Sequence, residues 1–227
     1  MISGGFSSAY RDVLPEFERS TGITVTTLSG ASQGKGPETI AAQLARGVAV
    51  DVVILSREGL SELMAKKRIA AGTGTDLATA AIGVAVRAGA KKPPIGTVDA
   101  FRQALLRAKL IAVPASTSGI FLMEEVFPKL GIADRIRTRV MARGTQSAAL
   151  VASGEADMAI QPVSELLREQ GLDYVGEIPA ELQLIQMFAA AAVAGSKELD
   201  SAKRLIAFLT SSHAAAAIRR NGMEPAA

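Results

Sequence analysis

The chain has 227 residues, nearly half of them apolar, which is enough for one large domain or two small ones with a sizeable core. Aromatic residues are few and Trp is absent, so that core is aliphatic; the lack of cysteine excludes disulfides, a thiolate nucleophile and thiolate metal sites. A net charge of +3, from 25 basic and 22 acidic residues, favours anions slightly, but no long Lys/Arg run or basic–aromatic interleaving gives a nucleic-acid footprint.

In chain order, Ile2 begins a very short strand that ends at Gly4-Gly5. Ser7 or Ser8 caps a helix whose apolar face is Ala9, Val13, Leu14 and Phe17, and Thr21-Gly22 stops it. The β-branched alternation of Ile23 to Leu28 predicts a strand. A Gly/Ser loop with one lysine, Lys35, follows, and then a helix with Pro37 near its first position and Gly47 past its end. Asp51 to Leu55 reads as a buried parallel strand, and Ser61 to Lys67 as helix. Ile82 to Arg87 is a strand broken by Lys92-Pro93-Pro94, and Val98 to Ala108 is a helix capped by Thr97 or Asp99. Leu110 to Val113 is a strand, leading through Ser116-Thr117-Ser118-Gly119 into a helix over Ile120 to Leu130. Val140 heads a short strand, Gln146 to Ser153 is helical, and Met158 to Gln161 is a strand. Strands at Asp173 to Gly176 and Leu184 to Ala192 precede helices at Ser196 to Thr210 and His213 to Asn221. This alternation predicts an α/β fold with parallel-rich sheets and helices on both faces.

Two polar loops, near residues 30 and 117, each stand between a strand and a helix. Ligands of such sheets bind beyond the carboxyl ends of strands, and helix-start N–H groups suit a small anion. The first loop is one residue short of a nucleotide-binding P-loop, and Gly36 stands where that motif needs a hydroxyl. The single histidine, His213, belongs to an Ala-rich helix, so no Ser/His/Asp triad assembles around it. No pattern proposes a metal or another cofactor. Glu124-Glu125 and Glu155 read as helix and turn surface. Lys35, Arg87 and Arg143 follow or flank strand ends and are candidates to pair with a carboxylate.

No segment reaches the roughly 18 uncharged apolar residues that cross a bilayer, so no direct membrane insertion is expected. Met1 leads at once into Ser3-Gly4-Gly5 without a signal-peptide pattern. Either a leader has been removed ahead of this sequence or the protein stays in the cytoplasm.

The order of several segments resembles type II periplasmic solute-binding proteins, in particular the molybdate-binding-like branch, which also includes aconitate isomerases. These segments are Gly4-Gly5-Phe6-Ser7-Ser8, Leu14 to Gly22, Ala41 to Gly47, Val50 to Ile54, Ser118 to Phe121, Ser153 to Asp157 and Gly222 to Pro225. The resemblance implies two α/β lobes joined by two crossing strands, near Ala81 to Ala88 and Leu184 to Ala194, with the ligand in a cleft between the lobes. Residues 1–82 plus 193–227 form lobe one, and 83–192 form lobe two. It also implies a periplasmic monomer that serves an ABC transporter permease.

The candidate ligand set is Gly5, Phe6, Ser7, Ser32, Gly34 and Lys35 from lobe one, and Arg87, Ser116, Thr117, Ser118, Arg143 and Gln161 from lobe two. It departs from the molybdate pattern. Gly5 stands at the position of one ligand serine, the Lys35-Gly36-Pro37 region replaces another, and Gln161-Pro162 replaces a tyrosine. A lysine and a glutamine suit an organic di- or tricarboxylate better than an oxyanion. Two readings follow. The favoured one is a binding protein that closes on a small carboxylate. The other is an isomerase of the aconitate type, with Lys35 as its catalytic group; the lack of a histidine or paired carboxylate at the loops weighs against it. A cytoplasmic ligand sensor ranks third.

Overall fold

A computed structural model describes residues 1–226. The first elements are α1 (Gly4–Thr21), α2 (Ile40–Ala45), β1 (Val52–Ser56), α3 (Arg57–Ala65) and β2 (Thr75–Ala80). Next come β3 (Ile82–Arg87), α4 (Val98–Arg107), β4 (Ile111–Pro114), α5 (Thr117–Phe121), a π-helical turn at Leu122–Val126 and α6 (Phe127–Lys129). They are followed by β5 (Thr138–Met141), α7 (Gly144–Ala152), β6 (Met158–Pro162), a 3₁₀ turn at Val163–Glu165 and β7 (Leu172–Glu177). The last are β8 (Gln186–Ala192), α8 (Leu199–Leu209), α9 (Ser212–Arg220) and β9 (Glu224–Pro225).

The chain forms two compact units, Met1–Ala80 with Met187–Ala227, and Ala81–Gln186. The return to unit 1 therefore falls earlier than residue 193, because β8 pairs with β1 from Val52↔Ala192 to Ser56↔Phe188. No helix among the described residues is long and apolar enough to cross a membrane.

Unit 1 has a four-stranded sheet in the order β1-β8-β2-β9. Side chains on a strand alternate between faces, and here both faces are apolar. Val52 and Ile54 join Phe188, Ala190 and Ala192 in a core with Phe6, Phe17, Leu205 and Ile218 of α1, α8 and α9. Val53 and Leu55 join Ala189 and Ala191 in a second core with Ile40, Leu44, Leu60 and Leu63 of α2 and α3. Each fully buried Leu or Phe of this kind contributes about 1.5–3 kcal/mol.

The strand expected over Ile23 to Leu28 does not form. Among the described residues its backbone partner is Ile2, through Ile2 N–H to the Leu28 carbonyl at 2.8 Å and Gly30 N–H to the Ile2 carbonyl at 3.0 Å. With α1 starting at Gly4, no longer ladder is available. The segment instead covers a cavity of about 330 Å³ in unit 1. Isolated parallel bridges join Ile2 to both Ser29 and Ile54.

Unit 2 has a five-stranded sheet in the order β5-β4-β6-β3-β7. The expected parallel-rich sheet is mixed. β4 runs parallel to β5 and β6, whereas β3 runs antiparallel to β6 and β7. One face is covered by α4 and the helical run after β4, through Phe101, Leu105, Leu122 and Phe127. The other is covered by α7, through Val151 with Ala112, Ala159 and Leu166.

The helix expected after Pro37 starts later, at Ile40, because Thr39 caps it: its Oγ1 accepts from Ala42 N–H at 3.2 Å. For α4 the cap is Thr97 rather than Asp99, accepting from Ala100 N–H at 3.2 Å.

Candidate functional site

In unit 2 the parallel register fixes which loops gather. Pro114 of β4 pairs with Met141 of β5, and Ile111 and Ala112 pair with Met158 and Ala159 of β6. The three carboxyl ends therefore lie side by side and carry Ser116, Thr117 and Ser118, then Arg143 and Gly144, then Gln161. Thr117 and Ser118 are buried, and Ser116 is half-buried. Gly119 brings α5 onto β4, since a Cβ there would lie 1.6 Å from the Pro114 carbonyl oxygen.

Arg143 is the half-buried N-cap of α7, its N–H donating to Gln146 Oε1 at 3.2 Å. Gln161 is fully buried. Its Nε2 donates to the Glu165 carbonyl at 3.3 Å, while its Oε1 has no hydrogen-bond partner among the described residues.

Glu165, which the sequence reading passed over, completes this group. A Cβ built on Gly144 would lie 1.8 Å from Glu165 Oε2 and 3.2 Å from Gln161 Nε2, so carboxyl and amide both rest on the start of α7. The residue is partly exposed, yet burial of its carboxyl pushes it up to about 7. The Glu169 carboxylate pushes the same way, and the Arg143 guanidinium opposes both. The 3₁₀ turn holding Glu165 is pinned on either side by buried Val163 and Leu166. The signal in the sequence was its place just past the Met158–Pro162 strand, where ligands of parallel sheets bind.

Arg87 does not join the group. Ile82 of β3 pairs with Pro162 and Val86 with Met158, so Arg87 lies at the opposite end of the sheet from Gln161. It sits instead near Gly154, where a built Cβ would be 3.1 Å from its Nη1.

In unit 1 the bridges at Ile2 bring together Ser3 and Ser56, which cap α1 and α3, and the start of the Gly/Ser loop at Gly30. Ser3 is the buried N-cap of α1, and its Oγ has no partner among the described residues. Ser32 is buried and its Oγ accepts from Ser56 N–H at 2.9 Å, tying the Gly/Ser loop to β1. Gly34 adopts φ +114°, a conformation that favours glycine. Lys35 is exposed at the tip of this loop.

Gly5 and Phe6 belong to packing. A Cβ on Gly5 would lie 2.0 Å from the Phe188 ring, and Phe6 is 1% exposed within the core. Ser7 donates to the Gly4 carbonyl at 2.7 Å. His213 is exposed on α9, stacked on Phe208 at 6.4 Å and 3.6 Å from Glu16.

Residues 1–224 match the family model described as bacterial extracellular solute-binding protein, and the chain belongs to that family. Its fold is that of type II periplasmic binding proteins. The periplasmic molybdate-binding protein of Azotobacter vinelandii has a TM-score of 0.75 at 18% identity, over 98% of this chain and 96% of that one. The sulfate-binding protein of Mycobacterium tuberculosis has a TM-score of 0.76 at 19% identity, over 99% and 84%. An aconitate isomerase from Pseudomonas sp is 35% identical over 226 residues, which cover 99% of this chain and 86% of that protein.

Proposed function

We propose that this chain recognises an aconitate-class tricarboxylate and moves its double bond. The observation that carries this reading is the 35% identity to the Pseudomonas aconitate isomerase across 99% of the chain. The unit 2 geometry supports it. The first turn of α7 offers backbone N–H groups to a carboxylate, and Arg143 at its N-cap adds a cation. Ser116, Thr117 and Ser118 supply hydroxyls at the adjacent strand end. Unit 1 has a polar strand-end group of its own, with Lys35 as its cation and Ser3 Oγ as a buried hydroxyl. Fixed donors at the strand ends hold the acid in one orientation, which a proton transfer between two of its carbons requires.

A second reading keeps the ligand and drops the reaction. Here the chain delivers a carboxylate to an ABC permease outside the cytoplasm, a role favoured by the solute-binding family match over residues 1–224.

A proton NMR time course separates the two. With trans-aconitate and substoichiometric protein in heavy water, new cis-aconitate signals, absent with boiled protein, are the expected outcome. Ligand line broadening without turnover supports delivery, and sharp, unchanged lines sink both. Lys35→Ala is expected to weaken tricarboxylate affinity about tenfold, the loss of one charge-assisted contact; an unchanged affinity by calorimetry removes Lys35 from the site.

A further inference from the structure

We propose that Glu165 is the acid–base catalyst of the unit 2 site. Its carboxyl takes the allylic proton of the bound tricarboxylate and returns it to the far carbon of the double bond. This rests on the isomerase reading above.

The step balances without a co-reactant. A C–H bond of the substrate methylene breaks, and its proton goes to a Glu165 oxygen. The C–H electron pair becomes the new C=C bond, while the old π pair collects a proton from the same carboxylic acid at the other end of the three-carbon unit. Charge that builds on the adjacent substrate carboxylate is met by the α7 N–H groups and Arg143.

Two observations select Glu165. The carboxyl lies against the backbone of Gly144, a residue that leaves room for no side chain, so its Oε2 is set at the helix start where an anionic substrate would dock. Beside it, Gln161 is fully buried and committed through Nε2 to the Glu165 carbonyl, leaving Oε1 as an acceptor without a partner among the described residues. A buried unpaired acceptor of this kind costs stability, which a ligand or a proton on a neighbouring group can recover.

The charged groups that act on the carboxyl are Glu169, beyond the turn, and Arg143 on α7, and they oppose each other. The carboxyl therefore changes charge close to neutral pH, the range in which one group serves as both base and acid. The other candidates are placed elsewhere. Glu155 is exposed and 3.7 Å from Arg139, and Glu124 and Glu125 are exposed on the π-helical turn.

The test uses the full chain with Glu165→Gln, Glu165→Asp and Glu169→Gln variants. Turnover of trans-aconitate is followed by NMR from pH 5 to 9, and binding of the saturated analogue tricarballylate by calorimetry. The wild type is expected to show kcat rising with pH through a limb near 7. Glu165→Gln should lose at least about a hundredfold in kcat, the usual reach of a positioned acid–base group, with tricarballylate affinity kept within about threefold. Glu165→Asp should regain part of the rate. Glu169→Gln should move the limb to lower pH, because the neighbouring carboxylate that raises Glu165 is gone.

Turnover by Glu165→Gln within about threefold of wild type overturns the assignment while the isomerase reading stands. Folded Glu165→Gln that no longer binds tricarballylate also overturns it, in favour of a binding role. A wild type without turnover sinks the isomerase reading and this inference together. If Glu165→Gln fails to fold, an unmoved limb in Glu169→Gln overturns it.

Discussion

At the scale of single residues, the chemistry rests on what surrounds a side chain. Glu165 holds its proton more tightly folded than unfolded, with about 7 against an ordinary 4.5. Between those values the folded state binds more protons, so its contribution to stability is intact below about 4.5 and lost as pH rises through about 7. Glu165→Gln is therefore expected to raise the melting temperature at pH 8 and to leave it unchanged at pH 4, and paired thermal melts check this. A stabilising substitution that stops turnover is the mark of a group kept for function. The strand-end placement of Ser116, Thr117, Ser118, Arg143 and Gln161 was legible in the sequence because each ends or follows a recognisable strand. Glu165 was not, because the Gly144 backbone against which its carboxyl lies comes from α7, some twenty residues earlier in the chain. The packing of Gly5 was hidden for a similar reason: the Phe188 ring that occupies the space over it lies near the other end of the chain. Without a carboxylate visible at the loops, the sequence ranked binding above catalysis, and the catalytic proposal is carried instead by the 35% identity to an aconitate isomerase.

At the scale of elements, local pattern located most helices and strands, and partners decided the exceptions. Ile23 to Leu28 has every residue a strand asks for, yet its backbone partner among the described residues is Ile2, and no ladder forms. β9, only two residues long, was invisible for the opposite reason: Glu224 and Pro225 have little strand propensity and are held by pairing with Thr79 and Ala78 of β2. The antiparallel course of β3 is a property of the sheet and leaves no mark on its apolar run. The approach of α5 to β4 is set by Gly119, where a Cβ would strike a backbone oxygen that cannot be swept aside like a side chain. Gly119→Ala should destabilise the protein by about 1–3 kcal/mol despite the better helix propensity of alanine, as measured by urea denaturation. An unchanged midpoint would show that α5 shifts freely on β4.

At the scale of the whole molecule, unit 2 is one unbroken stretch, Ala81–Gln186, and both of its apolar cores are drawn from within it. Expressed alone, residues 81–186 are expected to melt cooperatively, with far-ultraviolet dichroism of a mixed α/β protein; a non-cooperative melt counts against its independence. Unit 1 has no such stretch. Its sheet places β8 between β1 and β2, although β8 is made after all of unit 2. During synthesis, then, the edge of Val52 to Ser56 that β8 will pair with stays open until residue 192 has left the ribosome, by which time unit 2 can already have folded. The first eighty residues of the chain are thus a waiting half, and the exposed strand they carry is a natural target for a holding chaperone.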